Sequence, residues 1–72
     1  MNPYREEYRR KTQEQIYTLY VEYGMSMKEV AKEMQISKPT VKYHLDRLEF
    51  DDPEKYEIYR NEVKRRKKFN VY

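Results

Sequence analysis

Cysteine is absent from these 72 residues, which rules out disulfides, thiolate nucleophiles and thiolate-bound zinc and leaves packing alone to stabilise the fold. Glycine occurs once and proline three times, and the β-branched residues are scattered instead of alternating, so helices with short connections are expected and a sheet is not. Long apolar runs are also missing. The longest, Ile16 to Val21, falls far below the roughly 20 residues that a membrane-crossing helix needs. The opening Met1-Asn2-Pro3-Tyr4-Arg5-Glu6-Glu7 lacks the apolar stretch of a secretion signal. The expectation is a cytoplasmic protein with no membrane partner. Nor are there paired carboxylates with a cleft to hold them, a nucleophile beside a base, or a phosphate-cradling glycine loop, so an enzyme is not expected.

With 40% charged and 38% apolar residues, a chain of this length builds one small core and no deep substrate pocket. Net charge is +3, and its distribution says more than its size. Residues 1–24 carry four bases and four acids, residues 25–48 five and three, residues 49–63 two and six, and residues 64–68 are five consecutive bases. Positive charge therefore gathers in the middle segment and at the C-terminal end. A polyanion bound at two places suits this layout.

Asn2-Pro3 signals a helix start. Ile16, Leu19, Tyr20 and Tyr23 give the first helix an apolar face, and Gly24 can end it in the left-handed conformation. Thr12 and Gln15 have capping-box spacing, so this helix either runs unbroken over 3–23 or restarts near Thr12. Ser26 and Glu29 form a capping box, with Met25 and Val30 as hydrophobic staple, and open a helix over 26–34 that buries Val30, Ala31 and Met34. After a turn at Gln35-Ile36-Ser37, Ser37 caps a third helix over 38–48, with Pro39 tolerated in its first turn and Val41, Leu45 and Leu48 as its buried stripe. Asp51-Asp52-Pro53 closes this unit and caps a fourth helix over 53–67, whose inner face is Tyr56, Tyr59 and Val63 and whose terminal charges match the helix dipole. The expected architecture is all-α: a single domain over 1–72 of about four helices, with no wing.

Two short capped helices around a three-residue turn, the second opening on serine, have the sequence form of a helix-turn-helix. The stretch Val30-Ala31-Lys32-Glu33-Met34-Gln35-Ile36-Ser37-Lys38-Pro39-Thr40-Val41-Lys42-Tyr43-His44-Leu45 resembles the helix-turn-helix of bacterial and phage transcription regulators. Its Ser-x-x-Thr-Val-x-x-His-Leu pattern is similar to recognition helices of response-regulator-type domains and of the sporulation stage III regulator family. The resemblance implies sequence-specific binding of double-stranded DNA, with the third helix in the major groove. It departs from many such motifs at Gln35, where glycine is usual; the backbone there must be strained or differently arranged, and the register could shift by one residue.

On that helix, Lys38, Pro39, Lys42 and Tyr43 are the candidates for base contact. Lys42 can donate to guanine O6 and N7, Tyr43 can pack on a thymine methyl or bond a phosphate, and Pro39 offers apolar contact without donating an amide. Ser37, Thr40, Lys28 and Arg47 are expected on phosphates, and Lys64, Arg65, Arg66, Lys67 and Lys68 on the backbone or in the minor groove. No cofactor or metal is expected. His44 is an isolated imidazole that fits the edge of the third helix, and Asp51, Asp52 and Glu54 are explained by capping. Nine tyrosines exceed what a minimal core needs. Tyr4, Tyr8 and Tyr17 leave open a homodimer or protein partner on the first helix, and the alternative function is a small protein-binding adaptor.

Overall fold

The structure is a computed structural model that describes residues 3–69, and the side chains of 5–67. The helices are α1 (Pro3–Tyr17), continued by a π-helical segment (Thr18–Glu22), α2 (Met27–Met34), α3 (Lys38–Asp51) and α4 (Pro53–Phe69). The described residues contain no strand, so the chain is a small all-α bundle without a wing. The Asn2 cap lies outside the described residues.

Helix α1 passes through Thr12 without a break, and its coil then widens. The Tyr23 N–H reaches back five residues to the Thr18 carbonyl at 3.1 Å, and the Met25 N–H closes the end on the Leu19 carbonyl at 3.1 Å. Gly24, at φ +72°, supplies the left-handed residue that allows this closure. A π turn takes up more residues than an α turn, so side chains beyond Tyr17 lag behind the α-helical phase. The expected stripe is corrected accordingly. Gln13, Ile16, Tyr17 and Tyr20 are buried, Leu19 is half-buried, and Tyr23 is exposed.

The capping box of α2 forms in full: Ser26 Oγ accepts from the Glu29 N–H at 3.1 Å, and Glu29 Oε1 accepts from the Ser26 N–H at 3.0 Å. Gln35 ends α2 in the left-handed region (φ 58°, ψ 43°), and the next amide, Ile36 N–H, bonds the Ala31 carbonyl at 3.0 Å. Ser37 Oγ then accepts the Thr40 N–H at 3.3 Å and lies 2.7 Å from the Thr40 hydroxyl. The chain has turned with every cap filled.

Val30 and Ala31 of α2 meet Val41, Leu45 and Leu48 of α3, Ile16, Tyr17 and Tyr20 of the first helical stretch, and Tyr59 of α4 in one core. Tyr20 and Tyr59 pack edge to face with ring centroids 5.7 Å apart, an arrangement the ring quadrupoles favour. Tyr56 and Val63 border this core as expected. The residue pair Asp51-Asp52 divides its work. Asp52 caps α4 through the Lys55 N–H at 3.3 Å. Asp51, however, still belongs to α3, which outruns its expected end, and it accepts from Arg9 at 2.9 Å and from Gln13 at 3.1 Å. Gln13 also donates to the His44 carbonyl at 3.0 Å. A polar seam thus ties α1 to α3.

Arg66 corrects the reading of the C-terminal bases. Its guanidinium lies 3.8 Å from the Tyr20 ring centroid, donates to the carbonyls of Tyr20 (2.5 Å) and Met25 (2.8 Å), and pairs with Glu62 at 3.0 Å. Three of its N–H groups are bound within the protein, so it serves as an anchor for α4 before it can serve as a phosphate ligand.

Two predictions follow from this packing. Ala31 is 7% exposed between helices, so Ala31→Leu should overpack the α2–α3 contact and lose about 1–3 kcal/mol in urea unfolding. His44 is buried, and burial, then the nearby Arg9, holds its imidazole below the ordinary value of 6.5. The folded state therefore resists the proton that the unfolded chain accepts: stability is full above about 6.5 and declines as pH falls through that value toward the depressed one. Urea midpoints for His44→Leu should lose this decline and keep the lower-pH loss from carboxyls held below the usual range, Asp51 and Glu62 by their Arg partners among them.

Candidate nucleic-acid interface

Helical geometry sets the face that α3 presents. With Val41, His44, Leu45 and Leu48 buried, a rotation of about 100° per residue puts Pro39, Tyr43, Asp46, Arg47 and Phe50 on the opposite side. All but Asp46, which is half-buried, are exposed. Lys38 and Lys42 are exposed along one edge. All four base-contact candidates are thus exposed in the N-terminal half of α3, Pro39 and Tyr43 on the outward face and Lys38 and Lys42 along its edge.

Lys42 Nζ is 2.8 Å from Asp46 Oδ2, one turn further on, in a solvent-exposed pair. Such i,i+4 pairs contribute only about 0.3–0.5 kcal/mol, so Lys42 can leave Asp46 for a stronger acceptor. Asp46 also touches the Tyr59 hydroxyl at 3.4 Å. Burial, then Asp46, pushes that phenol up to about 12. Tyr43 packs its ring edge to face on His44, with centroids 5.4 Å apart, which steadies an otherwise exposed aromatic. Asp46 and Phe50 share the outward face but were not singled out from sequence; the signals were the four-residue step from Lys42 and the seven-residue step from Tyr43.

Among the expected backbone contacts, Lys28 is exposed in the first turn of α2, and Arg47 is exposed with its Nε 3.8 Å from Asp51. Ser37 and Thr40 stand at the start of α3, with their hydroxyls engaged in the cap and with each other. Lys64 and Lys67 are exposed. Arg65 grips Glu62 with two bonds, of 2.6 and 3.1 Å, so its charge is already matched. Arg66 is turned inward. The side chain of Lys68, and that of Tyr4, lie outside those described.

A second surface lies across α1 and the end of α2. Tyr8, Thr12, Leu19, Tyr23 and Met34 line an open groove of about 800 Å³. Tyr17, expected among the partner-facing tyrosines, is instead a core residue at 8% exposure, because it stands one α-helical turn after the buried Gln13 and next to Ile16 on the same stripe. Its ring carries the Lys55 ammonium, 5.2 Å from the centroid.

The family described as Sigma-70, region 4 matches residues 10–48, just over half of the chain. The match begins within α1 and ends within α3, and it leaves α4 outside. Neither a curated protein nor a solved structure gives a significant match.

Proposed function

This chain belongs to the sigma-70 region 4 family, helix-turn-helix DNA-binding domains that act in transcription, and from that premise we propose that it is a sequence-specific regulator with α3 in the major groove of duplex DNA. The observation that carries the reading is the outward face of α3, where Lys38, Pro39, Lys42 and Tyr43 are exposed together on a helix rigidly seated by Val41, Leu45 and Leu48. Lys42 donates to guanine O6 and N7, while Pro39 and Tyr43 contact thymine methyls. Lys28, Ser37, Thr40 and Arg47 hold the flanking phosphates, and the basic end of α4 extends that hold.

The likeness of Ser37, Thr40, Val41, His44 and Leu45 to response-regulator-type and sporulation stage III regulator helices supports a regulatory role. No helix among the described residues is long and apolar enough to cross a membrane, which is compatible with a cytoplasmic single domain over 1–72. A homodimer or protein partner on α1 would meet Tyr8 and Tyr23, and not Tyr17.

Selection from random duplex DNA at near-physiological salt tests the proposal. Enrichment of one sequence family is expected, whereas salt-sensitive binding without enrichment would reduce the protein to an architectural role. Lys42→Ala should relax preference at a single position by about 1–3 kcal/mol, the worth of a bidentate base contact. Competition titrations with single-base variants of the selected site measure this. Uniform weakening with preference intact would remove Lys42 from base reading. Footprint length separates a monomer from a dimer, whose half-sites would lie about 34–36 Å apart.

A further inference from the structure

Folding sorts the C-terminal bases into two sets. Glu62 takes Arg65 and Arg66 together, at 2.6 and 3.0 Å, and those bonds, Arg65 first, hold its carboxyl below the usual range. Moving Arg65 to a phosphate would give up its two charge-assisted bonds to Glu62, so the exchange gains little. Lys64 and Lys67 are exposed, and with Arg60 they have no ion-pair partner among the described residues.

Arg60, Lys64 and Lys67 stand at i, i+4 and i+7, which puts them within one narrow stripe about 10 Å long. Contacts of α4 show which flank this is. Lys55 and Arg66 lie against Tyr17 and Tyr20, so their side of α4 faces α1 and the π segment. The stripe occupies the other side, bordering α3 where Asp46 meets Tyr59, and Arg60 is close enough to act on the Tyr59 hydroxyl. On the opposite flank, the Arg66 bond to the Met25 carbonyl seats the end of α4 and so fixes the direction in which the stripe points.

We propose that Arg60, Lys64 and Lys67 form a preassembled phosphate-binding ridge that grips the strand flanking the groove entered by α3, with Arg66 as its positioning residue. This rests on the DNA-binding reading and assigns a role to the helix outside the family match. About 10 Å spans roughly three phosphate steps at about 3.4 Å of axis each, so one strand can meet all three α4 cations without bending. The ridge carries no base-reading geometry and adds affinity alike for every sequence.

The test uses the full chain and a mixed-sequence duplex, with affinity measured at several salt concentrations and folding checked by circular dichroism. The triple variant Arg60→Gln, Lys64→Gln, Lys67→Gln should reduce the slope of log K against log salt by about 2–3, near 0.9 per lost phosphate contact. Arg65→Gln should leave the slope nearly unchanged. Arg66→Lys should lower it although net charge is conserved, because the bonds that seat α4 are lost. An unchanged slope in the triple variant, or an equal loss per charge in Arg65→Gln and the triple, overturns the ridge while DNA binding stands. Failure of the unaltered chain to bind any duplex overturns both.

Discussion

The turn at Gln35 is the constraint from which the rest of the molecule follows. A non-glycine residue in the left-handed region costs roughly 1–2 kcal/mol, yet Gln35 sits there at φ 58°. The return is local and tertiary: the Ile36 N–H finds the Ala31 carbonyl, Ser37 is delivered as a cap, and Val30 comes to face Val41 and Leu45 in the core. Each buried aliphatic side chain contributes about 1.5–3 kcal/mol, so the strain is outweighed several times over. An open turn would lose both caps, and Lys38, Lys42 and Tyr43 would no longer lie on one rigid face.

A two-helix unit of this size cannot bury its own apolar face, and the neighbouring helices close it by different means. Helix α1 uses a polar seam in which Gln13 and Arg9 reach Asp51 and the His44 carbonyl. Helix α4 uses an aromatic one, where Tyr59 is 1% exposed and Arg66 lies on Tyr20. The Arg66 contact combines a cation–π interaction with three charge-assisted hydrogen bonds. It also satisfies the Tyr20 carbonyl, inside the π segment where regular α-helical bonding has lapsed. The widened turn and the arginine that fills it are one device.

The central motif was legible because its signals are local. Ser26, Glu29, Ser37 and the staples around them act over three to five residues, and the caps form at those positions. Buried positions of α2 and α3 were legible for the same reason, through simple periodicity. What escaped was non-local or phase-dependent. Tyr23 leaves its expected place because a π turn shifts the helical phase, and no residue type announces such a turn; Tyr17 is buried on the stripe of Gln13 and Ile16, where Gln13 hides the apolar pattern. Asp51 looked like a cap, and only the approach of α1 makes it the acceptor for Arg9 and Gln13. Arg66 was indistinguishable from its four basic neighbours until α4 folded back onto Tyr20. The outward residues of α3 were readable as a face, since exposure follows from the burial of Val41, Leu45 and Leu48, but Asp46 was passed over as just another surface acid.

The arrangement of acids explains how a net charge of only +3 is compatible with several exposed cations that lack partners. Glu6 and Asp51 hold Arg9, Glu29 closes the Ser26 box, Asp52 caps α4, and Glu62 holds Arg65 and Arg66. These carboxylates are engaged with the protein's own donors, and several lie on the side where α1 and α4 meet the core. Lys28, Lys38, Lys64 and Lys67 have no such partner among the described residues, and Lys42 has only a weak exposed one. Because fields between exposed charges fade within about 8–10 Å at physiological salt, an approaching polyanion responds to the cations nearest it and to the exposed acids beside them, such as Glu49 and Glu57, and hardly to acids engaged elsewhere. Local charge, and not the sum over the chain, governs which surface meets it.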